Sequence, residues 1–72
     1  MNNPFQRYRR KGFSELRPYR EGEILDSKVS ISQADKDAGS PTFGDMIARN
    51  PDNHEDQWLV AYEYFRNNLE LV

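Results

Sequence analysis

The sequence predicts a small α+β domain that combines a mostly antiparallel sheet of three or four strands with two short helices. Three observations predict this class. Polar and apolar residues alternate in KVSIS, the apolar runs MIA and WLV flank a polar turn, and apolar residues recur at helical spacing near the C-terminus. At 72 residues the chain has room for one domain. A domain of this size buries only about 60% of its unfolded surface, so the expected core is small.

Residues 1–7 are expected to form a flexible arm, followed by a single small domain over residues 8–72. The segment from Tyr8 to Tyr19 is rich in aromatic residues and lacks a 3.6-residue period, which favours an extended conformation. Within this segment, Pro18 is typical of the end of a strand.

The middle of the chain predicts a strand followed by a helix. Val29 and Ile31 alternate with polar neighbours, which is typical of a half-buried strand. Ser32 is a suitable helix N-cap, and Gly39 can adopt the left-handed conformation that often ends a helix. We therefore expect a short helix near residues 33–38.

The chain from residue 45 to residue 69 permits two interpretations. In the first, DMIARN and QWLVA are strands joined by a turn in NPDNHED, and YEYFRNNL is a C-terminal helix. In the second, residues 53–69 form a single helix. Asp52 and Glu55 match a capping signature for that helix, and the apolar residues from Trp58 onward keep a helical spacing. Local signals alone favour the single helix slightly.

The expected core draws on aliphatic and aromatic side chains from all of these segments. Its members are Phe13, Leu16, Ile24, Val29, Ile31, Met46, Ile47, Trp58, Val60, Tyr62 and Phe65. Because hydrophobic residues make up only 36% of the chain, the large aromatic side chains are expected to fill much of this volume.

Formal charge is unevenly distributed along the chain. Residues 1–20 contain six basic residues and one acidic residue, which gives +5, whereas residues 21–72 contain four basic and eleven acidic residues, which gives −7. This asymmetry is typical of a protein that presents a basic end and an acidic body to different partners. The alternative is that the two parts attract each other.

The composition also bears on location. The sequence has no cysteine and no apolar run near the roughly 20 residues needed to cross a bilayer. The basic N-terminus is not followed by an apolar segment, unlike a signal peptide. We expect a soluble intracellular protein that does not bind a membrane.

The basic stretch RYRRK is the first candidate binding site, and it consists of Arg7, Tyr8, Arg9, Arg10 and Lys11. In an extended segment, Arg7, Arg9 and Lys11 would share one side. Basic residues interleaved with an aromatic residue suit phosphate contact and base stacking, which predicts contact with RNA or DNA. The alternative is a solvated edge strand whose charge protects it from aggregation.

The second candidate site is the acidic turn that contains the only histidine. Asp52, His54, Glu55 and Asp56 predict a surface that contacts a partner protein, and the remaining acidic residues could extend it toward a basic partner. The alternative is an ordinary turn, in which polar side chains satisfy backbone groups and His54 is exposed.

No catalytic, cofactor or metal site is predicted. Three consecutive residues such as HED cannot all point into one site, and no second histidine or cysteine completes a metal shell. No serine lies beside a histidine motif, and the four glycines are isolated, so they form no phosphate loop. A chain this short can barely close a core, so we do not expect it to enclose the pocket that an enzyme needs. Trp58 is interpreted as a core anchor, with an exposed interface residue as the alternative.

The runs YRRKGFSELRPY, GDMIARNP, NHEDQWLV and YFRNN resemble a family of small phage and prophage proteins along nearly the full chain. In that family the closing pattern corresponds to a strand, a turn, a strand and a short helix, so the resemblance implies the hairpin. The size and basic start are also similar to those of small transcription regulators that bind RNA polymerase, such as one from a Xanthomonas phage. That resemblance implies binding at the β′ subunit, displacement of σ from promoters and readthrough of terminators.

We therefore predict a phage-encoded, non-catalytic modulator of host RNA polymerase that acts as a monomer in the bacterial cytoplasm. The acidic body would dock on the polymerase while the basic arm approaches RNA or DNA. Two alternatives belong to other classes. One is a minor virion or assembly protein that works by self-association, and the other is a small nucleic-acid-binding protein.

Overall fold

The computed structural model describes residues 3–9 and 12–71 as one sheet of six strands with two helices, which confirms the α+β class. The strands are β1 Gln6–Arg9, β2 Phe13–Pro18, β3 Val29–Ser30, β4 Met46–Asn50, β5 Asn53–Val60 and β6 Glu70–Leu71. The helices are α1 Gln33–Asp37 and α2 Tyr62–Asn68. The predicted count of three or four strands is therefore wrong.

The strand order is β3-β5-β4-β2-β1-β6, and all neighbours are antiparallel except β3 and β5, which are parallel. The extra strands come from both ends of the chain. The basic segment read as one extended stretch is a hairpin, β1 and β2, and the two-residue strand β6 pairs with β1 after α2. Because β1 begins at Gln6, it includes the last two residues of the expected arm over residues 1–7.

The β4–β5 hairpin decides between the two interpretations of the second half of the chain. Met46 lies opposite Val60, and Ala48 lies opposite Trp58. The single helix over residues 53–69 is therefore wrong, and the hairpin followed by a C-terminal helix is confirmed. The physical reason is that both faces of the sheet are covered. A strand can then bury consecutive apolar residues, and a helical spacing among them carries little information.

One face of the sheet, which we call the helix face, packs against α2. Its buried residues are Leu16, Met46, Ala48 and Val60, and the half-buried Tyr8, Trp58, Phe65 and Leu69 pack on them. The opposite face, which we call the loop face, buries Val29, Ile47 and Leu59 beneath Leu25 and Ile31. Adjacent residues of β4 thus serve different cores, as the two-residue period of a strand requires.

The expected core is wrong at three positions. Ile24 is 96% exposed, Phe13 is 52% exposed and Tyr62 is 44% exposed. In the Ile24–Leu25 pair, it is Leu25 that turns toward the loop face. Ala48 and Leu59 are buried although they were not expected to be, because both lie on the paired strands at the centre of the sheet.

Both helices are capped by side chains. Ser32 is the N-cap of α1 and accepts a hydrogen bond from the backbone N–H of Asp35, as predicted, and Gly39 follows with a φ of +101°. The N-cap of α2 is Ala61, which has no side-chain acceptor. Asp45, which precedes β4, takes this role, because its Oδ1 atom accepts a hydrogen bond from the backbone N–H of Tyr62 at the start of α2. Neither helix has the length and apolar character needed to span a membrane.

Candidate functional site: two hairpin ends of opposite charge

Two hairpins end side by side at one end of the sheet. The β1–β2 ladder ends at Arg9 and Phe13, and the β4–β5 ladder ends at Asn50 and Asn53. Because β2 and β4 are antiparallel neighbours, these two ladder ends lie at the same end of the sheet, about 10 Å apart by the usual strand spacing. We call the end of the β1–β2 ladder the basic tip and the end of the β4–β5 ladder the acidic tip. The structure thus brings the described part of the first candidate site, residues 7–9, and the acidic turn onto one end of the molecule.

The basic tip presents Arg7 and Arg9 on one side of β1, as predicted. The Arg7 guanidinium lies over the ring of Phe13, 5.4 Å from its centroid, and both side chains are exposed. The Arg9 Nε atom donates to Glu70 Oε1 at 2.8 Å, in an ion pair that is largely exposed. An exposed pair of this kind is weak and exchangeable. Arg10 and Lys11 lie outside the described residues.

Tyr8 points to the other side of β1, toward α2. Its ring packs edge-on against the ring of Phe65, with the centroids 5.0 Å apart, and it is half-buried against the helix-face core. This packing favours a structural role for Tyr8.

The acidic tip is irregular. Arg49 pairs with Gln57, but the next residue of β4, Asn50, pairs with Asn53, so the residues between Asn53 and Gln57 bulge outward. Asp52, His54, Glu55 and Asp56 are all exposed there. Asn50 and Asn53 accept hydrogen bonds from the backbone N–H groups of Asp52 and Glu55, which is the turn chemistry expected of asparagine. A bulge of this kind redirects side chains, which explains how three consecutive residues reach solvent.

Two of the acidic-tip side chains approach side chains on other parts of the chain. Glu55 Oε2 accepts from Lys28 Nζ at 3.0 Å, and this neighbouring carboxylate raises the pKa of Lys28 above its usual value. The Nε2 atom of His54 lies 3.6 Å from Glu15 Oε1 on β2. His54 therefore reaches from the acidic tip toward the strand that begins at the basic tip.

Glu15 lies at the centre of a row that crosses the loop face. Arg7, Glu15 and Arg49 are in register on β1, β2 and β4. The Arg49 Nε atom donates to Glu15 at 2.7 Å, and the ring of Phe5 covers the Arg49 guanidinium with a centroid distance of 4.0 Å. Since both charged groups of the Glu15–Arg49 pair are mostly buried, this pair holds the two hairpins together and is not a free binding group.

Ion pairs between the basic residues 1–20 and the acidic residues 21–72 reduce the charge asymmetry that the sequence shows. Arg9 pairs with Glu70, and Arg17 makes two hydrogen bonds to Glu23, of 2.8 and 3.1 Å. The Arg17 guanidinium holds the pKa of the Glu23 carboxyl below its usual value. Within residues 3–9 and 12–71, Arg7 forms no ion pair, so positive charge remains at the basic tip.

Sequence reasoning missed two residues that position the site. Asp45 was grouped with the surface acids, yet it is 2% exposed and accepts hydrogen bonds from Ser40, Thr42 and Tyr62. Glu15 is the one acidic residue among residues 1–20, and nothing in its sequence neighbours indicates that Arg49 lies opposite it. An acid directly before a buried apolar run is the signal that could have identified Asp45.

In the described part of the chain, no group of three or more His, Asp or Glu side chains is arranged to hold a metal ion. Comparisons with family models, with curated proteins and with solved structures gave no match to this chain.

Proposed function

We propose that this protein is a phage-encoded, non-catalytic modulator of host RNA polymerase that binds through the end of the sheet where the two tips meet. The observation that carries the proposal is the placement of opposite charges on neighbouring hairpin ends. A surface with both signs within about 10 Å suits a partner that exposes protein and nucleic acid together. The sequence resemblance to phage regulators points to the polymerase as that partner.

The acidic tip is the part proposed to contact polymerase protein. Asp52 and Asp56 are exposed and make no ion pair with another described residue, and Glu55 shares its charge with one lysine. A polymerase exposes basic surfaces because it handles nucleic acid. Complementary charge of this kind speeds encounter and selects the partner more than it adds affinity.

The basic tip is proposed to contact the phosphate backbone of RNA or DNA held by the polymerase. Arg7 and Arg9 are exposed there, and Arg10 and Lys11 follow in the sequence. Contacts to phosphate release bound counterions, so this part of the interaction should weaken as salt concentration rises.

Occupation of one shared surface is enough to explain regulation by so small a protein. If the bound tips cover a polymerase surface that σ also needs, initiation is inhibited without any chemical step. The β′ subunit is the expected docking site because the similar regulators bind there. Contact between the basic tip and RNA would favour antitermination.

A pull-down from host lysate tests the proposal. Wild-type protein should recover the polymerase, with crosslinks to β′, and D52K/D56K should recover at least several-fold less. The matched control is Asp37→Lys, which reverses an exposed acid on α1, away from both tips. Failure of the wild type to recover any polymerase subunit would overturn the proposal, and so would undiminished recovery by the D52K/D56K variant.

A further inference from the structure

A cleft on the helix face is bordered by α1, by α2 and by the last residues of β5. It measures about 290 Å³ and is lined by Asp35, Trp58, Leu59, Val60, Ala61 and Tyr64. Of the described residues that line it, Asp35 on α1 is the only charged one. The cleft is therefore an apolar depression with a single carboxylate in its lining.

The Asp35 side chain is half-buried, yet its carboxylate forms no ion pair or hydrogen bond with any described residue. Its backbone groups are occupied, because the N–H donates to Ser32 Oγ and the carbonyl accepts from the Ser40 N–H. A partly buried carboxylate without a partner has lost part of its hydration and gained no contact in return. A cation that pairs with Asp35 would supply that missing contact.

The lining limits what the cleft could bind. An anion would be repelled by Asp35, and a bound calcium or magnesium ion would need several oxygen ligands where the described lining has one carboxylate. A purely apolar group would remove more water from that carboxylate and replace none of it. An arginine side chain suits both parts of the lining. Its aliphatic stem packs on apolar surface, and its guanidinium can donate two parallel hydrogen bonds to a carboxylate.

The cleft is continuous with the surface that the proposed function assigns to protein contact. β5 runs from Asn53 at the acidic tip to Val60, so a partner that covers the tip need extend at most about 17 Å along the strand to reach Trp58. Trp58 is half-buried there. Tryptophan and arginine are both enriched among the residues that dominate binding energy at protein interfaces, where they occupy desolvated pockets. An arginine of the partner is thus a suitable occupant of this cleft.

We propose that this cleft binds an arginine side chain of the partner protein, with the guanidinium on Asp35 and the aliphatic stem against Trp58 and Val60. The inference rests on the proposed function for the identity of that partner, host RNA polymerase, and adds the side chain that anchors it. The acidic tip attracts a basic segment of the polymerase, and the cleft then holds one arginine of that segment.

Trp58 is the only tryptophan, so its indole N–H gives a single resonance in a proton–nitrogen correlation spectrum, and that resonance reports on the cleft. The full-length protein is titrated with the blocked tripeptide acetyl-Gly-Arg-Gly-amide. A second titration uses the same peptide with citrulline, the neutral isostere of arginine. The arginine peptide should shift the resonance to saturation, and the citrulline peptide should bind at least about tenfold more weakly, because it cannot form a charged contact with Asp35.

Asp35→Asn tests the carboxylate, because it keeps the size of the side chain and removes its charge. It should weaken binding of the arginine peptide about tenfold, and recovery of the polymerase in the pull-down should fall as well. Asp37→Asn is the matched control and should leave both unchanged. Asp37 lies on the same helix and is exposed, its carboxylate accepts a hydrogen bond from Gln33 Nε2, and it is not among the described residues that line the cleft.

The inference is overturned if the arginine peptide leaves the Trp58 resonance unchanged, if the citrulline peptide binds equally well, or if a folded Asp35→Asn variant binds as tightly as the wild type. The citrulline comparison needs no variant, so it decides the question even where Asp35→Asn does not fold. Any of these results with intact polymerase recovery would remove this site alone. Binding of the arginine peptide by a wild-type protein that recovers no polymerase would remove only the proposed function.

Discussion

The Oδ1 atom of Asp45 accepts a hydrogen bond from the backbone N–H of Tyr62 at 3.0 Å, so a residue that precedes β4 caps the helix that follows β5. The Oδ2 atom of the same carboxylate accepts from Ser40 Oγ at 2.7 Å and from the Thr42 N–H at 3.0 Å. One buried carboxylate thus ties the loop over residues 40–45, the β4–β5 hairpin and α2 together.

Asp45→Ala should lower the free energy of unfolding by about 3 kcal/mol, because it removes a helix cap and leaves three donors without their acceptor. Urea denaturation followed by far-UV circular dichroism measures this loss. Asp52→Ala, at an exposed acid, should change stability by less than about 0.5 kcal/mol. Equal effects of the two substitutions would contradict the role assigned to Asp45.

Gly44→Ala should destabilise the protein through two effects. The residue has a φ of +97°, which is costly for alanine, and the added Cβ would lie 3.1 Å from a ring atom of Tyr62. We expect a loss of about 2 kcal/mol in thermal or urea unfolding. Gly22→Ala is the matched control, since its φ is +85° and a Cβ there meets no atom within 4 Å. A loss at Gly22 as large as that at Gly44 would show that the ring contact is unimportant.

Truncation of two isoleucines to alanine should lower the free energy of unfolding by very different amounts. Ile47 is 0% exposed at the centre of the sheet, and Ile47→Ala should cost about 3 kcal/mol by creating a cavity. Ile24→Ala should leave the urea midpoint nearly unchanged, because its side chain is almost fully in solvent. Marked destabilisation by Ile24→Ala would mean that Ile24 packs on the protein or on a second copy in solution.

The ion pair between Arg17 and Glu23 should make stability depend on pH in the acid range. Because the Arg17 hydrogen bonds lower the pKa of Glu23 from its ordinary value of 4.5, the pair stabilises the folded state above that pH. The stabilisation is lost as the pH falls below 4.5 and through the lower pKa of the folded protein. The wild type should therefore exceed Glu23→Gln in stability near neutral pH, and the gap should close on acidification.

Urea unfolding of both proteins at several pH values between about 3 and 7 measures that gap. A gap that stays constant over this range would show that Glu23 acts through packing rather than through its charge.

Local signals in the sequence predicted the parts of the fold that depend on neighbouring residues. Ser32 and Gly39 placed α1, and the aromatic spacing after Tyr62 placed α2, because capping and helical periodicity act within a few residues. The β4–β5 hairpin also has a local turn, but its apolar residues fit a helix equally well, so the resemblance was needed to choose it.

The remaining features depend on contacts between distant residues. The parallel pairing of β3 with β5 and the pairing of β6 with β1 join segments that no local pattern connects. The candidate tips were found as charged stretches, yet their proximity follows from the strand order.

The antiparallel pairing of β1 with β6 sets Arg9 opposite Glu70 and Tyr8 opposite Leu71, so β6 starts beside the basic tip, whereas β1 starts at Gln6, at the other end of its ladder. An affinity tag or fluorophore joined before β1 would therefore be farther from that tip than one joined after β6. Protein immobilised through a tag placed before β1 would display both charged hairpins to the solution.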